Sequence, residues 1–509
     1  MELQKKKTGS EMLRILCCAG LALVFLLLFA ASTSPLAKNS WGYDSAFFIL
    51  VGQGFSKGLL PYRDFFDMKG LYLFLIEYLG QKISYGRFGA FVMEWIFLTL
   101  SLTAADKIYC LTLKKKKASL LFEGILLLPV LAIACATFEG GNYTEEYSLP
   151  FLLVSLYLTL RYFQQAQVSG DTAHPPRYGL FYGFSFGVLA LIRITNAAQI
   201  GAVLLTITIY LLKNKQIKNL LDNALAFIGG AGIAAAPMMI YYASRGLLSE
   251  MLSQVFLFGV QYSAEISFFG KLRGLLTGIY MPCLIFPWLP VVVQILTRER
   301  RWHYWLLSVS SAALVCIAIT MGNGYLHYFT LSLPNIVLAL MLWVEYNNGT
   351  LAQKVPKILR VAVIAAVCFL IAGVAVLAPR MPALQKALSN YAVTTGDQSD
   401  KNLAQIRAMI PQEDADSVYI YAVESCSAWY AEAGLFPANR YCDWQAHYIQ
   451  LNPQIGAQLE SWLRTDGAKW IVASVQNKIA PMSIREAVEE NYTVQFQNDD
   501  YILYVRNEG

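Results

Sequence analysis

The stretch Leu71-Tyr72-Leu73-Phe74-Leu75-Ile76-Glu77-Tyr78-Leu79-Gly80-Gln81-Lys82-Ile83 decides how the chain is read. It is apolar, yet as a helix it would rise only roughly 20 Å, short of the roughly 30 Å hydrocarbon core of a bilayer. Longer apolar runs lie at 12–32, 86–112, 118–137, 147–165, 178–195, 196–212, 220–243, 273–297, 303–321, 328–346 and 358–379. Positive charge chooses between 11 spans and 12. With 11 spans and the N-terminus inside, the cytoplasmic segments hold 20 of the 30 basic residues that precede Arg380. Lys114 to Lys117 are among them, and the short outer loops 138–146 and 322–327 hold none. Counting 71–83 as a span would place that lysine run outside and invert every later loop. The positive-inside rule therefore gives about 11 spans, a cytoplasmic N-terminus and an outer C-terminus. Residues 71–83 become a juxtamembrane or re-entrant helix. The first run has a signal-like basic start, but it is long and heads a membrane-embedded chain, so it reads as a retained span.

Composition agrees. Of 509 residues, 56% are hydrophobic and 15% charged, and the mean hydropathy is +0.44. Those values exclude disordered, collagen-like and disulfide-scaffold classes and argue against an ordinary soluble enzyme. From Arg380 the chain holds 10 Lys/Arg and 16 Asp/Glu, against 30 and 18 before it. The reading is a membrane domain, 1–379, and an extracytoplasmic domain, 380–509. Basic residues set between apolar runs are a topology signal, not a nucleic-acid surface. In the outer domain, Val418 to Val423, Trp470 to Ala473, Val494 to Gln497 and Ile502 to Val505 read as strands. Ser427 to Ala433, Ile455 to Arg464 and Ile484 to Glu490 read as helices, giving a small α/β fold. Two outer segments, 33–85 and 244–272, complete that face. The first carries a short helix at 43–57, the second an interfacial helix from Met251 to Tyr262.

Seven of nine cysteines fall in apolar spans and read as small buried hydrophobes. Cys426 and Cys442 lie in the outer domain and could pair. Four histidines, no CxxC and no HExxH give no zinc or haem centre. There is no Walker A motif, no GxGxxG after a strand and no GxSxG elbow. Any chemistry must come from carboxylates, basic residues and a substrate activated beforehand.

Polar groups concentrate on the outer face. The first loop reads Trp41-Gly-Tyr-Asp-Ser-Ala-Phe-Phe, then Gly58-Leu-Leu-Pro-Tyr-Arg-Asp-Phe-Phe-Asp-Met-Lys-Gly. Asp44 follows the first span, and a partly desolvated carboxylate there could act as a general base towards a hydroxyl. Tyr62, Arg63, Asp64, Asp67 and Lys69 follow, and Lys or Arg could hold a lipid phosphate. An anchoring interfacial loop would use the same residue types. The second loop, Phe138 to Phe151, brings Asn142, Glu139, Glu145 and Glu146. The last two could cap the following helix, or, near Asp44, could orient an acceptor or hold a divalent cation. Arg193 near the outer end of its span could serve a phosphate, while Glu94 reads as a packing pair. His327 and Tyr328 lie on a third outer loop.

These residues resemble those of the GT-C glycosyltransferases, in particular the protein O-mannosyltransferase-like and lipid A aminoarabinose transferase-like members. Tyr43-Asp44-Ser45 looks like their acidic motif after the first span. Leu59 to Gly70 looks like the following Pro-Tyr, acid and Lys stretch. Asn142-Tyr-Thr-Glu-Glu-Tyr147 and Gly324-Tyr-Leu-His-Tyr328 look like later outer motifs. Ser45 stands in place of a second acid, and Gly70-Leu71 in place of prolines. The resemblance implies a GT-C-like polytopic α-helical membrane protein in the plasma membrane. It also implies an outward-facing polyprenyl-phosphate sugar as donor, an extracytoplasmic acceptor and inversion at the anomeric carbon. On it, Asp44 is the base and Lys69 the phosphate contact, with no nucleotide or haem needed and a divalent cation left open. The alternative class is a transporter or flippase of lipid-linked precursors. Transporters place polar groups on broken helices at mid-membrane, in two related halves. Here the polar groups lie on outer loops and no such halves are evident. A non-catalytic assembly protein is the third class.

Overall fold

The structure is a computed structural model. It describes residues 2–37, 41–112, 120–264, 266–278, 280–322, 324–351, 398–421, 423, 426–476 and 481–507. The first helices are α1 (Glu2–Phe29), α2 (Tyr43–Ser56), α3 (Leu71–Ile83), α4 (Arg87–Thr112), α5 (Leu120–Thr137) and α6 (Thr144–Ser169). Then come α7 (Pro176–Arg193), α8 (Ala198–Lys213), α9 (Ile217–Ser244), α10 (Leu248–Leu252) and α11 (Gly259–Ala264). Next are α12 (Phe268–Thr277), α13 (Ile285–Thr297), α14 (Trp302–Met321) and α15 (Leu333–Leu351). The last are α16 (Gln398–Met409), α17 (Cys426–Ala433), α18 (Gln445–Leu451), α19 (Pro453–Thr465) and α20 (Met482–Asn491).

The chain is a multi-pass membrane protein. Among the described residues six helical stretches are long and apolar enough to cross a bilayer, or seven if one bent pair counts as a span. The expected runs at 178–195 and 196–212 fall on α7 and α8, joined by a 3-10 turn at Ile194–Ala197. The run at 273–297 needs correction as a single straight span. Phe268–Thr277 and Met281–Thr297 meet at 110°. Gly278 and Pro282 flank the break, and a proline without an N–H cannot continue the helix before it. The expected span 358–379, the lysine run at 114–117 and the proposed domain boundary at 379 lie outside the described residues. Residues 71–83 form a separate short helix, α3.

Two compact units emerge, each made of three chain segments. The first comprises Met1–Ala30, Glu94–Tyr241 and Ile266–Lys386. Inside it, α7 and α9 approach closely along a glycine seam. Gly179, Gly183 and Gly187 recur every four residues on α7. A Cβ added at Gly183 would lie 1.9 Å from the Phe227 carbonyl oxygen, and one at Gly230 of α9 would lie 2.0 Å from that of Leu180. Small residues let backbones in a membrane reach van der Waals contact, where no hydrophobic effect drives helices together. A buried polar network ties four further helices. Gln199 on α8 donates to Ser311 on α14 at 3.2 Å and to Asn335 on α15, and Asn335 donates to the Pro287 carbonyl on α13 at 2.7 Å.

The second unit comprises Ala31–Met93, Tyr242–Glu265 and Ala387–Gly509. Its sheet runs β1 (Val418–Tyr421), β2 (Trp470–Ser474), β4 (Tyr501–Arg506), β3 (Tyr492–Gln497). The β1–β2 pair is parallel and the others are antiparallel. All four strands match the sequence reading within two residues, whereas α16 and α18 were not expected. The core of this unit draws on all three segments. Phe66 from the first loop sits among Phe258, Tyr441 and Tyr448 at ring separations of 4.9, 5.0 and 5.1 Å. Tyr419, Ile455 and Leu459 pack around them. Phe258 closes a π turn, Ser253–Phe258, between α10 and α11, so the expected helix from Met251 to Tyr262 exists and packs into this core. Of the outer-domain aromatics, Trp429, Tyr430, Tyr441 and Tyr448 are buried and Trp444 is exposed.

Candidate functional site

Asp44 sits in the first turn of α2. The chain enters that helix through Gly42 at φ 65°, where a Cβ would lie 2.7 Å from Ser32 Oγ, so only glycine fits. The Asp44 carboxylate is half-buried and makes no hydrogen bond to the described residues.

The loop after α2 is braced by its own polar groups. Tyr62 is wholly buried at φ 70°. Its hydroxyl donates to the Lys69 carbonyl at 2.8 Å, its carbonyl accepts from Gln254 at 2.9 Å, and its N–H donates to the Phe65 carbonyl at 2.8 Å. Tyr62, expected as a substrate contact, is thus placed where it holds the loop in shape. Asp64 accepts from the Leu60 N–H at 2.6 Å and pairs with the exposed Arg63 at 2.7 Å. Asp67 accepts from the Met68 and Lys69 N–H groups at 2.6 and 3.2 Å. Burial raises its carboxyl above the usual range, opposed by the positive charge of Lys69. Lys69 is half-buried, with Nζ 5.7 Å from the centre of the Phe48 ring.

A third carboxylate joins Asp44 and Asp67. Asp443, on the loop before α18, accepts from Ser427 Oγ at 2.7 Å, from Cys426 Sγ at 3.3 Å and from the Trp444 N–H at 3.0 Å. The α17 helix that carries Cys426 and Ser427 packs on α2. Asp44 is within electrostatic reach of both Asp67 and Asp443. Cys426 and Cys442 are free thiols, not a bridge, and burial pushes both up. Among the described residues no group of three His, Cys, Asp or Glu side chains has the geometry of a metal site.

Burial, with the nearby Asp44 charge adding to it, pushes the Asp443 carboxyl up to about 6. The folded protein therefore binds this proton more tightly than the unfolded chain, whose carboxyl titrates near 3.9. The stabilising contribution is complete below about pH 4 and is lost as pH rises through 6, a difference of about 3 kcal/mol. Asp443→Asn should flatten that window: its midpoint of unfolding should fall less than the wild type's between pH 4.5 and 7. Parallel profiles for the two proteins would refute the assignment.

The first unit holds a second set of polar groups. Glu139, Gly140, Gly141 and Asn142 all have positive φ, at 47°, 98°, 85° and 65°. Such a backbone is strained at Glu139 and Asn142 and must be held by its surroundings. Glu94 supplies part of the hold, accepting from the Asn142 N–H at 2.6 Å, while Tyr147 donates to the Asn142 side chain. Glu146 folds back on the Tyr143 N–H at 3.2 Å as the second half of a capping box for α6. Glu145 pairs with Arg193 at 3.1 Å, and the Arg193 guanidinium lies 4.0 Å from the centre of the Tyr328 ring. His327 stacks on Tyr143 at 4.1 Å and bonds Glu139 through Nδ1 at 2.8 Å. Asn142, Glu145, Glu146, Arg193, His327 and Tyr328 are thus gathered around α6 and the loop after α14. Glu146 serves the helix end, and Arg193 is already engaged. The sequence reading missed Asp443, which no motif marks. It also left Glu139 and Tyr143 without roles, although Glu139 lies in the same acidic loop.

The chain matches the family model of the competence-induced protein Ccs4 N-terminal domain over residues 21–348. No curated protein sequence matches it significantly. Among solved structures it is similar to ArnT from Cupriavidus metallidurans bound to undecaprenyl phosphate. That match is 13% identical with a TM-score of 0.59 over 98% of each chain. Apo ArnT from the same organism is 15% identical, with a TM-score of 0.54 over 98% of each chain. The fold is that of these ArnT structures, in line with the polytopic architecture that the resemblance implied.

Proposed function

The chain belongs to the family of the competence-induced protein Ccs4 N-terminal domain, and for this member we propose inverting glycosyl transfer from a polyprenyl-phosphate sugar to an extracytoplasmic acceptor. The observation that carries the reading is the Asp44 carboxylate. It is half-buried, without a hydrogen bond to the described residues, and in one unit with Lys69. In the reaction, an acceptor hydroxyl oxygen attacks the anomeric carbon of the donor sugar. The bond from that carbon to the phosphate oxygen breaks, its electron pair leaves with the lipid phosphate, and Asp44 takes the hydroxyl proton. Lys69 meets the charge on the departing phosphate. The neighbouring carboxylates of Asp67 and Asp443 are occupied by protein donors and shape the site instead. That ArnT has been solved with undecaprenyl phosphate on a similar fold supports a lipid phosphate as the leaving group. The positive-inside pattern supports a reaction on the outer face of the plasma membrane, with the N-terminus cytoplasmic.

The test uses the purified full chain in detergent and a panel of radiolabelled polyprenyl-phosphate sugars with envelope extract as acceptor. Wild type should move label from lipid to acceptor. Lys69→Gln should raise the donor KM roughly tenfold or more, the usual weight of a charge-assisted contact. A folded sample that moves label from none of the donors would overturn the proposal.

A further inference from the structure

A groove of about 330 Å³ opens within the second unit, lined by none of the three carboxylates. Its walls are Leu59, Arg63 and Asp64 from the loop after α2, Pro437 to Tyr441 from the loop after α17, and Gln458 from α19. The two loops are clamped by a hydrogen bond from the Phe66 N–H to the Arg440 carbonyl at 2.9 Å. Tyr441 forms the floor, its hydroxyl donating to Gln458 Oε1 at 2.9 Å and accepting from Arg440 at 2.9 Å.

The charges here cancel. Arg63 is matched by Asp64, and Arg440 by Glu250 on α10. Each guanidinium already faces a carboxylate, so an incoming phosphate would meet no net positive charge and would have to break an ion pair. What remains is a set of planar hydrogen-bonding forks. Asn439 uses its side-chain oxygen on the Tyr441 N–H at 3.0 Å, and Gln458 uses its oxygen on the Tyr441 hydroxyl. Neither amide nitrogen has a partner among the described residues. Carboxylate acceptors, amide and guanidinium donors and no net charge suit vicinal hydroxyls, which both give and accept hydrogen bonds. The volume falls at the small end of ligand pockets and suits one or two sugar rings.

We propose that this groove holds an uncharged sugar unit of the acceptor, making the acceptor a neutral glycan and not a phosphate-bearing polymer. The proposal rests on the transferase reading but is tested by binding alone, without donor or turnover. The full-length protein in detergent is titrated with maltotriose, mannotriose and chitotriose, and with glycerol phosphate as the charged probe, by ligand-observed saturation-transfer NMR. At least one neutral trisaccharide should bind saturably. Asn439→Ala/Gln458→Ala should weaken it tenfold or more, and Gln458→Trp, which fills the groove from an exposed helix position, should abolish it. Both variants should stay folded, each with a single cooperative unfolding transition. Binding that ignores both substitutions, no saturable binding of any neutral trisaccharide, or tighter binding of glycerol phosphate would overturn the proposal. Sugar binding without label transfer from any donor would instead sink the transferase reading and leave the groove standing.

Discussion

Asp44→Asn should lower glycosyl transfer by roughly 10²- to 10⁴-fold, the range expected when a general base is removed, with donor affinity changed little. Single-turnover transfer and equilibrium binding of the lipid donor, measured on the same preparation, separate the two effects. The reasoning is by comparison of three carboxylates. Asp67 is buried and holds two backbone N–H groups. Asp443 accepts from a hydroxyl, a thiol and a backbone N–H. Replacing either disturbs the loop that it orders, so a loss of activity there would not identify a base. Asp44 makes no such bond to the described residues, and asparagine keeps its shape. Transfer that survives Asp44→Asn within a factor of ten would remove Asp44 from the chemistry.

Gly183→Leu should prevent α7 and α9 from packing. Even the first side-chain carbon would fall 1.9 Å from the Phe227 carbonyl oxygen, and backbone cannot yield that distance without separating the helices. Overpacking by one methyl group costs roughly 1–3 kcal/mol, and a leucine adds three more carbons. The expected result is loss of monodisperse protein on size exclusion, with a lowered unfolding midpoint in whatever survives. Gly232→Leu on α9 is the control, because a Cβ there meets nothing within 4 Å. Equal behaviour of the two variants would mean that the seam does not hold the helices.

Much of this fold was legible because membrane insertion is written locally. A span is a continuous apolar run, and its direction follows from lysines beside it, so 71–83 could be set apart on length and charge alone. The strands of the outer domain were readable for the same reason, being short β-branched and aromatic runs. The break between α12 and α13 was marked by Gly278 and Pro282 but was outvoted by the surrounding apolar residues. The α7 seam also had a signal, glycine at every fourth position, which periodicity of apolar residues overlooks. Residues of the candidate site divide differently. Asp44, Asp67 and Lys69 could be picked out because they cluster along the chain. Asp443 could not, since nothing near it in sequence says that α17 will pack on α2. Tyr62 is the opposite case: the charged Arg63 and Asp64 beside it suggested a polar surface, but the loop folds over it.

The position of Phe66 bears on how the protein is made. Its ring is caged by Phe258, Tyr441 and Tyr448, residues that leave the ribosome long after it. At roughly 5–20 residues per second, about 20 to 75 seconds separate the synthesis of Phe66 from that of Tyr441 and Tyr448. During that interval the loop that carries Phe66 and Lys69 lacks the Tyr441 and Tyr448 side of its core. A chain released early by a stop codon or a stalled ribosome would leave Phe66 without two of the three rings that cage it. Closing the cage around Phe66 thus waits on the C-terminal segment, Ala387–Gly509.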